Sequence, residues 1–232
     1  MATKARSSGF LLPMPVWDVT TRLFHWLSVV VFAISYISVT IADGPNAALW
    51  MRIHVASGET MLGLLLFRIV WGLIGSDTAR FARFLRSPSA ALRHLRHLTR
   101  REPDLQVGHN EAGGWMVVLM LLLLGVQVGT GLFANDDGSS EGPLAQFVSK
   151  PMSDQLSAIH SLNFDILVGA VGVHIAAIVI YAVLKRQNLL RPMITGKKRL
   201  PAATRAPHMA HPLLAAVTLA VVASVTVLIS RL

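Results

Sequence analysis

The segment HSLNFDILVGAVGVHIAAIVIYAVL, residues 160–184, is a long apolar run with histidines at His160 and His174. In an α-helix, fourteen residues rise about 21 Å and bring the side chains back to within about 40° of the same direction. Both imidazoles therefore face one interior at two depths. A single metal ion cannot bind both, so if they are ligands the chain holds two centres.

Composition indicates that this helix crosses a membrane. The 232 residues are 53% hydrophobic and 14% charged, and the mean hydropathy is +0.55, which is too apolar for an ordinary soluble domain. Apolar blocks of about 20 residues, the length that spans a bilayer as a helix, occur five times. They cover residues 23–42, 54–74, 115–134, 160–184 and 213–230.

These blocks predict an all-α integral membrane protein, with a four-helix bundle and an extra C-terminal transmembrane helix. We expect residues 1–15 to be a flexible lead, residues 16–198 to form the transmembrane domain, and residues 199–232 to be a linker and the fifth helix. The first block is too long and begins too late for a signal peptide, so we interpret it as a retained helix. Cysteine is absent, which excludes disulfides, thiolate-bound iron–sulfur clusters and covalently attached c-type haem.

The net charge of +9 is distributed as in a membrane protein, which argues against a nucleic-acid partner. Basic residues cluster before the first block, between the second and third, and after the fourth, whereas the loop between the third and fourth blocks is acidic. By the positive-inside rule the N-terminus is cytoplasmic and, after five crossings, the C-terminus is periplasmic. The basic residues are Lys4, Arg6, Arg22, Arg80, Arg83, Arg86, Arg93, Arg96, Arg100, Arg101, Lys185, Arg186, Arg191, Lys197, Lys198, Arg199 and Arg205; the acidic ones are Asp136, Asp137, Glu141 and Asp154.

Four histidines match in depth as two pairs drawn from different helices. His54 opens the second block and pairs with His160 near the outer face, while His25 pairs with His174 towards the cytoplasm. Two neutral imidazoles from facing helices are a common axial set for a haem iron that transfers electrons, because six-coordinate iron leaves no site for substrate. The alternatives are histidines that pack and hydrogen-bond, a zinc site, or a proton relay.

The third block has no histidine, so we expect it to wall the bundle. Phe81, Phe84, Leu85, Leu92, Leu95 and Leu98 recur at near-helical spacing among arginines, which predicts an amphipathic segment at the inner membrane surface. His94 and His97 are expected to belong to that surface and to bind nothing.

Short motifs are distributed along residues 15–198. They are Val16-Trp17-Asp18, Thr21-Arg22-Leu23-Phe24-His25-Trp26, His54-x-x-x-Gly58, Phe67-Arg68-x-x-Trp71-Gly72, Gly108-His109-Asn110, Thr130-Gly131-Leu132-Phe133, His160 with His174, Asn188-Leu189 and Pro192-Met193-Ile194-x-Gly196. In combination they resemble the motifs of the bacterial cytochrome b561 and nickel-iron hydrogenase b-type cytochrome family. The chain departs from the family pattern after Asn110, where Glu111 and Ala112 stand in place of the proline that often follows.

The resemblance implies two non-covalent b haems with His25, His54, His160 and His174 as axial ligands, and a quinone site, for ubiquinone or menaquinone, near one haem. We expect the quinone site on the cytoplasmic side. Arg22 and Arg68 are alternatively placed to neutralise haem propionates or to reach lipid phosphate. Candidate quinone contacts are Arg22, Trp26, Arg68, Trp71, His109 and Asn110.

No dinucleotide, flavin or cysteine-cluster motif is present, so substrate chemistry is expected elsewhere. The favoured function is an electron-transfer subunit of a respiratory chain in the bacterial inner membrane. It would link a periplasmic redox partner (a dehydrogenase, a hydrogenase or a soluble cytochrome) to the quinone pool. The alternatives are a self-sufficient oxidoreductase that passes electrons from a small reductant such as superoxide to quinone, and a haem-free scaffold or zinc protein.

Overall fold

The computed structural model describes residues 10–42, 44–96, 105–137 and 140–232. Five of its helices are long and apolar enough to cross a membrane, which confirms the predicted membrane helical bundle. These are α1 (Val19–Thr40), α2 (Ala47–Ile74), α5 (Glu111–Gly131), α6 (Lys150–Leu184) and α8 (Pro212–Ile229). Short helices α3 (Phe81–Phe84), α4 (Pro88–Arg96) and α7 (Leu190–Thr195) lie in the connections, with 3-10 turns at Gly44–Asn46 and Ala145–Phe147.

All five spanning helices begin earlier than their apolar blocks predicted, and α2 and α6 show the largest differences. α2 begins at Ala47 rather than at position 54, and α6 begins at Lys150 rather than at position 160. The first turns of α6 are polar, and apolar block length detects only the part of a helix that is suited to lipid. His54 and His160 therefore lie two to three turns inside their helices. The sequence had predicted that His54 lies at the start of its helix.

Side-chain caps explain where two of the spanning helices start. Asp18 precedes α1, and its Oδ1 accepts a hydrogen bond from the Thr21 backbone N at 2.5 Å. Asn110 precedes α5, and its Oδ1 accepts from the Gly113 backbone N at 2.7 Å. Each cap accepts from a backbone N–H group that the first helical turn leaves unpaired. The two caps therefore define where α1 and α5 begin.

The core lies around α2. One buried cluster joins Val31 of α1, Met61 and Leu62 of α2, and Val128 of α5. A second joins Phe67, Trp71 and Ala79 to Val222 of α8. The outer helix faces carry exposed apolar side chains such as Val183 and Leu213, the surface expected towards lipid tails. The fifth helix thus packs directly on α2 and is part of the bundle.

Two short strands join the start of the chain to the segment that follows α7. β1 (Leu11–Pro15) pairs antiparallel with β2 (Lys197–Pro201), from Leu11 opposite Pro201 to Pro15 opposite Lys197. The expectation of a flexible lead over residues 1–15 is therefore wrong for residues 11–15, because backbone pairing orders them; residues 1–9 lie outside the described residues. Gly196 stands at φ +77°, where a side chain would also meet the Trp17 carbonyl oxygen.

The bundle has two chemically different ends. The basic end comprises residues 10–18, 75–96, 105–110 and 185–211. The acidic end comprises residues 44–46, 132–137 and 140–149 with the first turn of α6. At the acidic end Lys150 forms ion pairs with Asp137 and Asp154. At the basic end Asp77 accepts from the His208 backbone N at 3.0 Å, which ties the segment before α8 to the end of α2. Backbone hydrogen bonding from His208 and the nearby Arg83 and Arg80 keep the pKa of Asp77 below its ordinary value.

Candidate functional site

The structure brings the four histidines together as two pairs. The ring centroids of His25 and His174 are 6.4 Å apart with planes inclined at 52°. Those of His54 and His160 are 6.2 Å apart with planes inclined at 84°. Two metal–nitrogen bonds of about 2 Å, together with the distance from each bonded nitrogen to its ring centre, span roughly 6 Å. Each pair is therefore spaced to hold one metal atom between its rings.

Two imidazoles are the axial ligand set of a six-coordinate haem, whereas protein zinc sites usually take three or four side-chain ligands. In the part of the chain that the structure describes, no group of three or more histidine, cysteine, aspartate or glutamate side chains is placed to hold a metal ion. The donor sets therefore fit a haem at each pair better than they fit zinc.

The imidazole rings of the outer pair, His54 and His160, are each oriented by a hydrogen bond that Nδ1 donates. His54 Nδ1 lies 3.0 Å from the Ser35 carbonyl oxygen, and His160 Nδ1 lies 2.9 Å from the Gln127 carbonyl oxygen. Since a carbonyl oxygen only accepts, each Nδ1 is the donor. This tautomer leaves Nε2 with the lone pair that binds a metal, and such a second hydrogen bond also makes the imidazole a stronger ligand.

Gln127 of α5 also approaches the remaining nitrogen of His160. Its Nε2 lies 3.0 Å from His160 Nε2, and its Oε1 accepts from Asn163 Nδ2 at 2.6 Å. Coordination through His160 Nε2 therefore requires the Gln127 carboxamide to turn aside. Neither amide was predicted from the sequence, which indicated that α5 walls the bundle; Gln127 gives this helix a polar contact with the outer pair as well. Amide side chains inside otherwise apolar blocks were the available signal.

A cavity of about 380 Å³ opens beside the outer pair, within the range of small-molecule and cofactor sites. Its wall is mainly apolar, and it includes Phe164 of α6 and Gly58, which has open space where a Cβ would stand. The lining also includes three carboxylates: Asp136 and Glu141 of the acidic end, and Glu59 of α2. A flat apolar group with polar edges fits this lining, so the outer pair meets both the donor and the space requirement of a haem.

The inner pair, His25 and His174, has a different environment. His25 Nδ1 is buried without a hydrogen-bond partner among the described residues. A buried, unpaired ring nitrogen is costly unless something satisfies it. Arg68 is 3% exposed, and it lies fourteen residues after His54 on α2, the interval that separates His160 from His174. A buried cation therefore stands at the level of the inner pair.

The other proposed quinone contacts separate into two groups. Arg22 Nη1 donates to the Ile194 carbonyl oxygen at 2.5 Å, and Trp26 Nε1 donates to the Met193 carbonyl oxygen at 3.2 Å. These two side chains therefore connect α1 to α7. Arg68 donates to the Ala79 carbonyl oxygen at 3.2 Å, and Trp71 Nε1 to Asp18 Oδ2 at 3.4 Å, so both lie inside the bundle.

His109 lies between two aromatic rings at the basic end. Its ring centroid is 4.5 Å from Trp17 and 4.8 Å from Phe84, and its Nδ1 is buried with no partner in the described chain. Burial, with a smaller effect of the Arg68 charge and of the histidines of the inner pair, lowers the pKa of His109 to about 3. His109 is therefore neutral at physiological pH and adjoins the inner pair electrostatically.

The segment expected to be amphipathic at the membrane surface is described up to Arg96. It divides into α3 and α4, and Phe84 is buried against the bundle while Leu92 and Leu95 remain exposed. His94 was expected on a solvated surface, but its Nε2 lies 2.6 Å from the Tyr181 hydroxyl oxygen. Aromatic packing and this hydrogen bond draw the segment inwards. His97 and Leu98 lie outside the described residues.

The sequence matches a known protein family over most of its length. The family model for prokaryotic cytochrome b561 matches residues 16–196. A protein of Rhizobium leguminosarum bv. viciae named "Probable Ni/Fe-hydrogenase B-type cytochrome subunit" is 26% identical over 210 residues, 79% of this chain and 87% of its own. A protein of the same name from Bradyrhizobium diazoefficiens is 25% identical over 211 residues, 79% of this chain and 85% of its own. No solved structure matched.

Proposed function

Because the chain belongs to the prokaryotic cytochrome b561 family, we propose that it is a di-haem electron carrier between a redox protein at its acidic end and quinone at its basic end. Because it belongs to this family and has five apolar helices, the chain is a multi-pass membrane protein and a b-type cytochrome of electron transport, with non-covalent haem b. The number of haems, their ligands, the quinone and the partner are parts of the proposal.

The observation that carries the proposal is the presence of two imidazole pairs at two depths of one bundle. We assign His25 and His174 as axial ligands of one haem iron, and His54 and His160 as axial ligands of the other. When bound, each haem supplies a one-electron iron couple. The helices hold the ring centroids of His25 and His174 6.4 Å apart and those of His54 and His160 6.2 Å apart. Two histidines would therefore hold each haem iron. Substrate has no open coordination site, which suits electron transfer.

The two pairs are separated along α6 by the rise from His160 to His174, about 21 Å. Macrocycles between the pairs would shorten the gap, so the bundle would conduct electrons from one membrane face to the other. His109 and Asn110 remain the candidates for contact with quinone or propionates, and Arg68 is the buried cation that a propionate or a quinone oxygen would approach.

The basic end is proposed to face the cytoplasm and the acidic end the periplasm, following the positive-inside rule. The location would then be the bacterial inner membrane, with the N-terminus cytoplasmic and the C-terminus periplasmic. The relatives are named as hydrogenase cytochrome subunits, which supports a periplasmic redox enzyme as the electron donor. The acidic-end carboxylates Asp136 and Glu141, which line the outer cavity, would meet a basic surface on that donor.

The test is a haem count with a redox difference spectrum on the purified, membrane-extracted chain. We expect two non-covalent haems per polypeptide, reduced by the donor enzyme and reoxidised by decylubiquinone. A colourless protein, or one haem per chain, overturns the two-centre proposal. Reduction of quinone by the isolated chain with superoxide and no partner would instead support a self-sufficient oxidoreductase.

A further inference from the structure

A chain of polar side chains connects the water-exposed basic end to the interior below the inner pair. Glu111 Oε2 lies 3.1 Å from His94 Nδ1, and His94 Nε2 lies 2.6 Å from the Tyr181 hydroxyl oxygen. Asn110 Nδ2 donates to the same hydroxyl at 2.7 Å. We name these four residues the basic-end relay: they come from α4, from the start of α5 and from α6.

Exposure decreases along the relay. The side chains of Glu111 and His94 are 23% and 16% exposed, whereas Tyr181 is 5% exposed. Tyr181 follows His174 by seven residues on α6, so its side chain leaves the same face of the helix about 10 Å nearer the basic end. One end of the relay is therefore partly exposed to water, and the other is buried on the face of α6 that carries His174.

The order of groups is that of a proton-transfer unit. A carboxylate that accepts from Nδ1 fixes the imidazole so that Nε2 meets the hydroxyl, and three groups in sequence can each hold and release a proton. A mere tie between α4 and the bundle would need only one hydrogen bond. Among the described residues, the groups that also face the relay include Lys185, whose Nζ lies 5.2 Å from the Tyr181 ring centroid, and Gln106, which donates to both Glu111 oxygens.

We infer that Glu111, His94 and Tyr181 deliver the protons for quinone reduction at the inner pair, with Asn110 holding the tyrosine hydroxyl in place. The inference rests on the proposed function. Quinone reduction consumes two electrons and two protons to give quinol. The electrons arrive singly through the inner pair. For each proton, the Tyr181 hydroxyl releases its hydrogen to a quinone oxygen and takes the hydrogen of His94 Nε2.

His94 is then neutral and keeps the hydrogen on Nδ1 that faces Glu111. Rotation of the imidazole brings Nε2 to Glu111, where it regains a proton from the carboxyl group, and Glu111 replaces that proton from water at the basic end. Two such cycles balance the reaction. In this scheme Tyr181 is the group that touches the quinone, whereas His94 and Glu111 act through it. General acid catalysis by a positioned group typically contributes a factor of about 100 to 10,000, so loss of the relay should be easy to measure.

The experiment compares two oxidants of the fully reduced, haem-loaded protein by stopped flow. Decylubiquinone requires protons, whereas ferricyanide accepts an electron without one. We expect Tyr181→Phe and His94→Gln to slow reoxidation by decylubiquinone at least about tenfold, with the deficit growing from pH 6 to pH 9, and to leave the rate with ferricyanide unchanged. Glu111→Gln should give a smaller deficit. His208→Gln, an exposed histidine at the same end, is the control.

Equal slowing with both oxidants would assign a structural role to the relay and overturn the inference, as would an unchanged decylubiquinone rate. If His94→Gln fails to fold, Tyr181→Phe decides, since it removes only one oxygen atom. The proposed function fails separately, when the wild-type protein reacts with ferricyanide but not with decylubiquinone.

Discussion

The guanidinium carbon of Arg68 lies 5.0 Å from the centroid of the Phe81 ring. Phe81 in turn packs so closely on α2 that a Cβ at Gly72 would stand 2.1 Å from the ring. Among the described residues Arg68 forms no salt bridge. It is thus a buried cation held by an aromatic face and a carbonyl oxygen, at the level of the inner pair, and such a charge stabilises added electrons nearby.

Replacing Arg68 by methionine should lower the midpoint potential of the inner haem and leave that of the outer haem unchanged. At about 10 Å and an effective dielectric constant of about 20, one charge contributes about 1–2 kcal/mol, or roughly 40–90 mV for one electron. Methionine retains much of the volume. Potentiometric titration of both haems provides the measurement, and Arg83→Met, whose side chain is 65% exposed, is the control. Equal shifts at both haems would contradict the assignment.

His174→Ala should remove the inner haem and keep most of the absorbance of the outer one. The two pairs use different histidines and lie about 21 Å apart along α6, so loss of one ligand need not disturb the other pair. Haem content and difference spectra before and after the change are the measurements, with His211→Ala as an exposed control. Loss of both haems would mean that the bundle folds only when both are bound, and an unchanged count would exclude His174 as a ligand.

The membrane architecture was predictable because each spanning helix contains an apolar block long enough to cross the bilayer. The helix starts were less predictable: the first turns of α6 are polar, and the block reveals only the portion from position 160 onwards. β1 was missed because five residues with two prolines carry almost no strand pattern of their own. Their order comes from pairing with β2, a partner nearly 190 residues away in sequence.

The proximity of the histidines within each pair was also predictable, since antiparallel helices place residues at calculable depths. The hydrogen bonds that these and other histidines form were not predictable from the sequence. The contact of Gln127 with His160, and that of His94 with Tyr181, depend on helix rotation and on how α4 folds back against the bundle. A difference of one residue in register would remove either contact, and one sequence contains no measure of that register.

Gly131→Ala should reduce occupancy of the outer haem selectively. A Cβ at Gly131 would lie 2.9 Å from His160 Cε1 and 3.2 Å from His160 Nδ1, so the imidazole must rotate away from the Gln127 carbonyl oxygen that orients it. Gly129→Ala is a matched control on the same helix, because nothing lies within 4 Å of its Cβ position. Haem content and the outer haem's spectrum are measured for both variants. Similar occupancy in the two would show that the orientation of His160 does not matter for binding.

The stability of the protein should decrease on acidification partly because of His109. Burial lowers its pKa to about 3, whereas the unfolded chain binds this proton with an ordinary value near 6.5. Below about pH 6.5 the unfolded state therefore binds more protons than the folded state. The contribution of His109 to the free energy of unfolding is therefore fully present above about pH 6.5. It decreases as the pH falls towards 3, and at pH 5 the loss is about 2 kcal/mol.

His109→Gln removes this contribution, so its melting temperature should depend less on pH than that of the wild type between pH 7 and pH 5. The histidines of both pairs are present in both proteins, so any contribution they make cancels in the difference between the two curves. His208→Gln, at an exposed position, should retain the wild-type slope. Parallel curves for His109→Gln and the wild type would mean that His109 accepts a proton in the folded state, and its Nδ1 would then need a partner that the surrounding Trp17 and Phe84 rings do not provide.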